Sequence, residues 1–202
     1  IALLQAWDRR WAADSVATTV AIHWAEELWR VVGADPKGRA WPLFEQVASS
    51  STSEQRLQAL LAATEKLQQD FGHWRMPWGE VNRLQRRTGD IVQRFEDATA
   101  STPVAFTSGR WGSLAALEAS TYPGTLRRYG TSGNSFVAAV EFGPKVTAKA
   151  ILVGGQSGAP ASPHFFDQAA RYARGALRDI HFYPDDSAKH ATEIYHPGQS
   201  IR

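Results

Sequence analysis

Cysteine is absent from the 202 residues, which excludes disulfides, thiolate-ligated zinc and cysteine nucleophiles but leaves the compartment open, since many exported bacterial proteins have none. Long apolar runs are missing as well. No stretch approaches the roughly 18 consecutive apolar residues of a membrane helix, and the opening residues lack the charged and apolar regions of a signal peptide. No membrane partner is expected, and any export signal is expected upstream. Excess charge of either sign is lacking, with 22 Lys and Arg against 20 Asp and Glu. The basic residues are scattered among acidic ones, so no nucleic-acid partner is expected. The locally basic run Arg83-Leu-Gln-Arg-Arg87 reads as a solvated face. None of the 6 histidines forms a close ligand pair with another, and Asp185-Asp186 has too few neighbouring acceptors for a calcium loop, so neither metal nor cofactor is expected.

What the chain does have is length and aromatic bulk, with 8 tryptophans and a 43% hydrophobic share, enough to bury a sizeable core. Residues 1–85 read as a helical region. It begins without a cap at Ile1, with Leu4, Trp7 and Trp11 spaced for one helical face. That start in mid-pattern points to a piece of a longer chain. A second helix is predicted from Asp14 or Ser15 as N-cap to about Val32, with Ala17, Val20, Ala21, Trp24, Leu28 and Val31 on its apolar face, Gly33 as the stop and Pro36 beyond it. Residues 34–50 contain two prolines and no sustained period, and read as a loop. Ser51 and Glu54 have the spacing of a capping box ahead of a third helix carrying Leu57, Leu60, Leu61, Thr64, Leu67 and Phe71.

Residues 86–130 are rich in Thr, Ser, Gly and Pro and read as a loop-rich connection with a short helix over Leu114 to Glu118. From 131 to 202 the period changes. Ser135 to Phe142 and Val146 to Val153 alternate as two strands around the turn residues Gly143-Pro144-Lys145, an antiparallel hairpin. Ala150 to Val153 is apolar on both faces, as in a strand inside a layered sheet. A covering helix is predicted from Pro163 to about Asp179, and the polar tail from Pro184 is read as a surface arm with an apolar contact at Ile194 and Tyr195. The fold class is α+β.

The most specific stretch is Val153-Gly-Gly-Gln-Ser-Gly158, running on through Ser162-Pro163-His164 to Gln168. With Gly133-Asn134 before it and Tyr172 and Asp179-Ile-His-Phe-Tyr183 after it, it resembles the C-terminus of the β chain of penicillin acylase-family amidohydrolases. The branch it looks closest to contains the acyl-homoserine-lactone and lipopeptide acylases. Trp78-Gly79 followed by Arg83-Leu84 is a second match. The resemblance implies an N-terminal-nucleophile hydrolase with an αββα sandwich, to which residues 131–202 contribute. It also implies a periplasmic or secreted location and hydrolysis of a linear amide in an acylated small molecule.

These enzymes use the first residue of the β chain as nucleophile, and Ile1 has neither hydroxyl nor thiol for its amine to activate. The chain is therefore expected to hold no catalytic residue and to depend on an α chain and the N-terminal part of the β chain. A Ser157, His164 and Asp167 triad is disfavoured, because Ser157 lies in no nucleophile elbow and the other two share one helix start. The glycines from 154 to 158 are expected to serve positive φ or close backbone approach. Gln156 and Ser157 are the candidate pocket residues, and Asn134 reads as a turn residue rather than an oxyanion donor. The rival reading is a non-enzymatic helical binding or interaction domain.

Overall fold

The computed structural model describes residues 1–33, 40–194, 196 and 198. The longer helices lie before residue 82, and the strands, with two short helices, follow from it, an α+β arrangement. Helix α1 (Ala2–Gln5) ends at Ala6, and Arg9 beyond it adopts a left-handed φ of 62°, so the expected continuous face is broken. Trp7 and Trp11 instead pack on each other with ring centroids 5.6 Å apart. Helix α2 (Val16–Val31) begins where expected, the Ser15 hydroxyl accepting from Thr18 N, and ends at Gly33, whose φ is 66°. Pro36 lies outside the described residues.

Helix α3 (Ala40–Ser50) replaces part of the predicted loop; Leu43 and Val47, one turn apart, bury against Leu28, Trp29 and Ala59. Pairing with α2 stabilises an element whose sequence has little period of its own. Helix α4 (Ser53–Phe71) carries a capping box one residue later than expected. Gln55 N donates to Thr52 Oγ1 at 3.2 Å and Thr52 N to Gln55 Oε1 at 2.8 Å. Ser51 is occupied elsewhere: its amide closes α3 on Val47 O, and its hydroxyl accepts from Arg56 Nε at 2.8 Å. Ala59, Ala63 and Leu67 form the buried seam of α4.

A single helical turn, α5 (Trp78–Val81), leads into β1 (Asn82–Leu84). Gly79 is required there, since a Cβ would lie 2.7 Å from Pro103 Cβ and 2.9 Å from Ala13 Cβ. The next segment is less loop-like than its composition. It holds β2 (Thr102–Pro103), a 3-10 turn at Gly109–Trp111 and β3 (Leu117–Ser120), followed by β4 (Arg128–Gly133). The expected helix at Leu114 to Glu118 is thus a bend that leads into a strand at Leu117. Leu117 lies over Gly130, where a Cβ would come within 2.5 Å of its Cδ1, and this cross-strand fit outweighs local propensity. The four strands order as β2-β1-β4-β3, with β1 and β4 parallel and the other pairs antiparallel. This sheet therefore joins β1 from the helical region to strands of the predicted connection, with β4 running across its end at residue 130.

Strands β5 (Phe136–Glu141) and β6 (Thr147–Leu152) form the predicted hairpin, and β7 (Arg178–Asp179) adds to β6. Strand β6 is central, with Ala150 and Ile151 buried, as its apolar composition implied. The long covering helix is not formed: only α6 (Ala169–Ala173) is helical. Backbone groups ahead of it bond the 154–157 loop instead, Ser157 N to His164 O at 3.1 Å and Gln168 N to Gly154 O at 2.8 Å, so they are not free for helical pairing. The tail is not simply an arm, since Pro184 starts α7 (Pro184–His190), with acids in the first turn and bases in the last. Ile194 is exposed, and Tyr195 lies outside the described residues.

One core joins the two sheets: Leu84, Val104 and Leu117 meet Ile151, Ala169, Tyr172 and Ala173. Val137 faces this core with its cross-strand partner Ile151. By strand alternation, Phe136, Ala138 and Val140 point to the opposite face with Ala148, Ala150 and Leu152. Ile180 joins them through its bond to Ala148 O. On that face Phe136 is 58% exposed and Val140 48%, and Phe142 just beyond them is 86% exposed.

Candidate functional site

The start of the Gly-rich loop forms part of the wall of a cavity of about 460 Å³, together with Arg86, Asp90 and Phe166. Gly154 and Gly155 present backbone to it, whereas Gln156 is exposed and neither Gln156 nor Ser157 is among its lining residues. The Ser157 hydroxyl accepts from Ala159 N at 3.1 Å, making a local turn. His164 Nδ1 pairs with Asp167 Oδ2 at 3.0 Å. Close approach, not positive φ, explains Gly155: a Cβ would lie 2.1 Å from His164 O. Gly154, Gly155 and Gly158 are not among the positive-φ glycines. Asn134 acts as a brace, its Oδ1 accepting from Ala116 N at 2.7 Å and its own N–H donating to Ala116 O.

The basic run is not a solvated face. Arg83 donates to Gly79 O and to Ser101 O, Arg86 donates to Phe165 O and lies over the Phe165 ring, and Arg87 pairs with Glu96 at 2.6 Å. Gln85 and Asp97 hold the loop between them and β4. Gln85 Nε2 donates to Glu96 O and Thr99 O, while Asp97 accepts from Leu126 N and the Tyr129 hydroxyl. Side chains thus satisfy backbone groups that a ladder would otherwise pair, which leaves no period to read in the sequence.

A second, more polar cavity of about 180 Å³ lies where α2 meets the sheet. On α2, Ile22, Glu26 and Trp29 fall at i, i+4 and i+7, one face of the helix, and line it together with Trp78, Asn82, Arg110 and Arg128. Arg128 grips Glu26 through two bonds of 2.7 Å, a bidentate fork, and its Nη2 also lies 3.1 Å from His23 Nε2. His23 Nδ1 lies 2.8 Å from Thr19 O. The carbonyl requires a proton on Nδ1 and the guanidinium a lone pair on Nε2, so the ring is neutral. Burial, then the Arg128 charge, lowers its pKa from 6.5 to about 4. Burial acts to raise the Glu26 carboxyl, but Arg128 outweighs it by charge and hydrogen bonding and holds Glu26 below the ordinary range.

The opposite wall is aromatic, with Trp29 and Trp111 stacked at 4.6 Å and the Arg110 guanidinium 5.7 Å over Trp29. Two buried donors on this cavity, Trp78 Nε1 and Arg110 Nη1, have no acceptor among the described residues. Donors converging on a cavity suit an oxygen acceptor, either a carbonyl or a carboxylate. The arrangement suits binding and orienting an acceptor; His23 spends both ring nitrogens on fixed partners, and the Ser108 hydroxyl donates to Glu118 at 2.7 Å while accepting from Arg110 N.

Sequence reasoning missed this site. The available signal was His23 at a buried position of α2 and Glu26, partly buried, within one turn of it; their partner Arg128 lies about a hundred positions further on, and no local spacing announces it. The two motif regions singled out in the sequence, Trp78-Gly79 and the 154–158 loop, do prove to be tightly constrained junctions. A family model described as Penicillin amidase matches residues 1–189, a span that takes in the polar cavity, both junctions and both sheets, and the chain accordingly belongs to the penicillin amidase family.

Proposed function

We propose that this chain is the C-terminal portion of the β chain of an N-terminal-nucleophile hydrolase. The complete enzyme would cleave a linear amide between an acyl chain and an amine-bearing core, such as a β-lactam nucleus, a homoserine lactone or a peptide. In that scheme the nucleophile belongs to the remainder of the enzyme: a terminal serine attacks the carbonyl with its own α-amine as base, and hydrogen-bond donors hold the oxyanion. The present chain supplies structure, and Gln156 and Ser157, which follow the cavity-lining Gly155 in sequence, are its candidate neighbours of an acyl or leaving-group pocket.

The observation that carries this reading is the outward face of β5, β6 and β7, with Phe136, Val140, Phe142 and Ile180 exposed on one side of a sheet whose other side is already in a core. Apolar sheet faces of this kind are covered by a second sheet about 10 Å away in sandwich folds. The αββα architecture provides one, from the α chain and the N-terminal part of the β chain. A periplasmic or secreted location belongs to the same proposal and is checked by cell fractionation.

Co-expression with those missing parts tests it. Recovery of a complex that hydrolyses acylated amines, with the isolated chain inactive, is the expected outcome, and Phe136→Ser with Val140→Ser should weaken the assembly. A monodisperse, cooperatively melting chain with no affinity for the remainder would instead favour a non-enzymatic binding module. Amide hydrolysis by the isolated chain would overturn the assignment of the nucleophile elsewhere.

A further inference from the structure

The C-terminal helix brings together three side chains that the sequence separates by four and three intervening residues. His181 follows β7, while Asp186 and His190 lie one turn apart on α7 and so share a face. The two imidazoles stack with centroids 3.7 Å apart and planes 7° from parallel. His181 Nδ1 is 2.9 Å from Asp186 Oδ2, and His190 Nδ1 is 3.5 Å from Asp186 Oδ1 and 2.9 Å from the Asp186 carbonyl oxygen. One ligand atom from each residue falls within 4.8 Å of the others. Ser187 Oγ donates to His181 O at 2.5 Å and fixes the loop relative to the helix. Parallel rings this close do not readily both carry charge. Neutral imidazole is also the form that ligates a metal.

From this juxtaposition we infer that His181, Asp186 and His190 form a binding site for a divalent transition-metal ion. Two imidazole nitrogens and one carboxylate oxygen select zinc, copper or nickel over calcium or magnesium, which prefer all-oxygen sets. Bonds of about 2.0–2.2 Å require the ligand atoms, now within 4.8 Å of one another, to rearrange around the ion, and the half-exposed side chains have room to rotate. Solvent completes the coordination sphere, because the cluster opens to a surface depression bounded by Arg178, Asp179 and Ser187. Lys145, whose Nζ lies 4.7 Å over the Tyr183 ring, and Arg178 are the nearby cations that oppose binding. Asp179 and Asp185 favour it. Once bound, the ion clips α7 to the end of β7.

Titration of the untagged, metal-free chain with Zn²⁺ by calorimetry tests the site, together with the visible spectrum of the Co²⁺ form. One equivalent per chain is expected. Asp186→Asn and His190→Ala should each weaken binding by about tenfold or more, since even loss of an outer-shell partner has effects of that size. Co²⁺ should develop the intense bands of a low-symmetry site. Absence of binding, or binding unchanged in the His181→Ala/His190→Ala double variant, would overturn the inference, the second result pointing to His164 and Asp167 instead. Circular dichroism of the variants separates ligand loss from unfolding, because all three side chains are surface-accessible.

Discussion

The neutral, buried His23 makes stability depend on pH in a way that can be worked out in advance. In the unfolded chain the imidazole takes up a proton near 6.5, whereas in the folded protein burial and the Arg128 charge defer this to about 4. Between those values the unfolded state binds more protons, so stability is fully present above pH 6.5 and is lost as pH falls toward 4. Such a displacement corresponds to about 3 kcal/mol over the full window, of which about 2–3 kcal/mol falls between pH 7 and pH 4.5. Glu26 adds a loss in the same direction, confined to lower pH, because its depressed carboxyl is protonated only below the usual carboxylate range. His23→Gln isolates the imidazole: the amide nitrogen can donate to Thr19 O and the amide oxygen can accept from Arg128. Urea unfolding of both proteins at pH 7 and pH 4.5 should show the wild type losing about 2–3 kcal/mol more than the variant. A proton NMR titration of the His23 ring should place its midpoint well below 6.5. Parallel stability profiles, or an ordinary midpoint, would refute the neutral-histidine reasoning.

Gly79→Ala should destabilise by about 1–3 kcal/mol, read by thermal or urea unfolding, because the added methyl collides with Pro103 and Ala13. Thr52→Ala should remove about 1 kcal/mol while Ser51→Ala, tested in an Arg56→Ala background, removes clearly less; the reverse order would move the capping box back to Ser51. Trp78→Phe deletes a buried N–H that has no acceptor among the described residues, so in the isolated chain it should lose less than about 1 kcal/mol, a greater loss indicating a hydrogen bond at that indole.

Local signals determined much of this protein. Ser15 and Gly33 delimit α2, the period-two alternation around Gly143 to Lys145 forms the hairpin, and the double-sided apolarity of Ala150 and Ile151 places β6 inside its sheet. Each follows from the chemistry of a few adjacent residues: a hydroxyl facing a free amide, a glycine that reaches positive φ, side chains that alternate across a pleat. The 154–158 loop was legible as a glycine-dependent junction and as a family mark, but its reason is a carbonyl at His164 approaching Gly155. Tertiary structure alone decided where distant groups compete with local preference. Leu117 became strand because Gly130 receives it, and residues 163–168 gave up a helix because the 154–157 loop takes their hydrogen bonds. His23, Glu26 and Arg128, and the His181, Asp186 and His190 cluster, exist as sites only after folding, because the interaction of charges and lone pairs falls off with distance in space rather than along the chain.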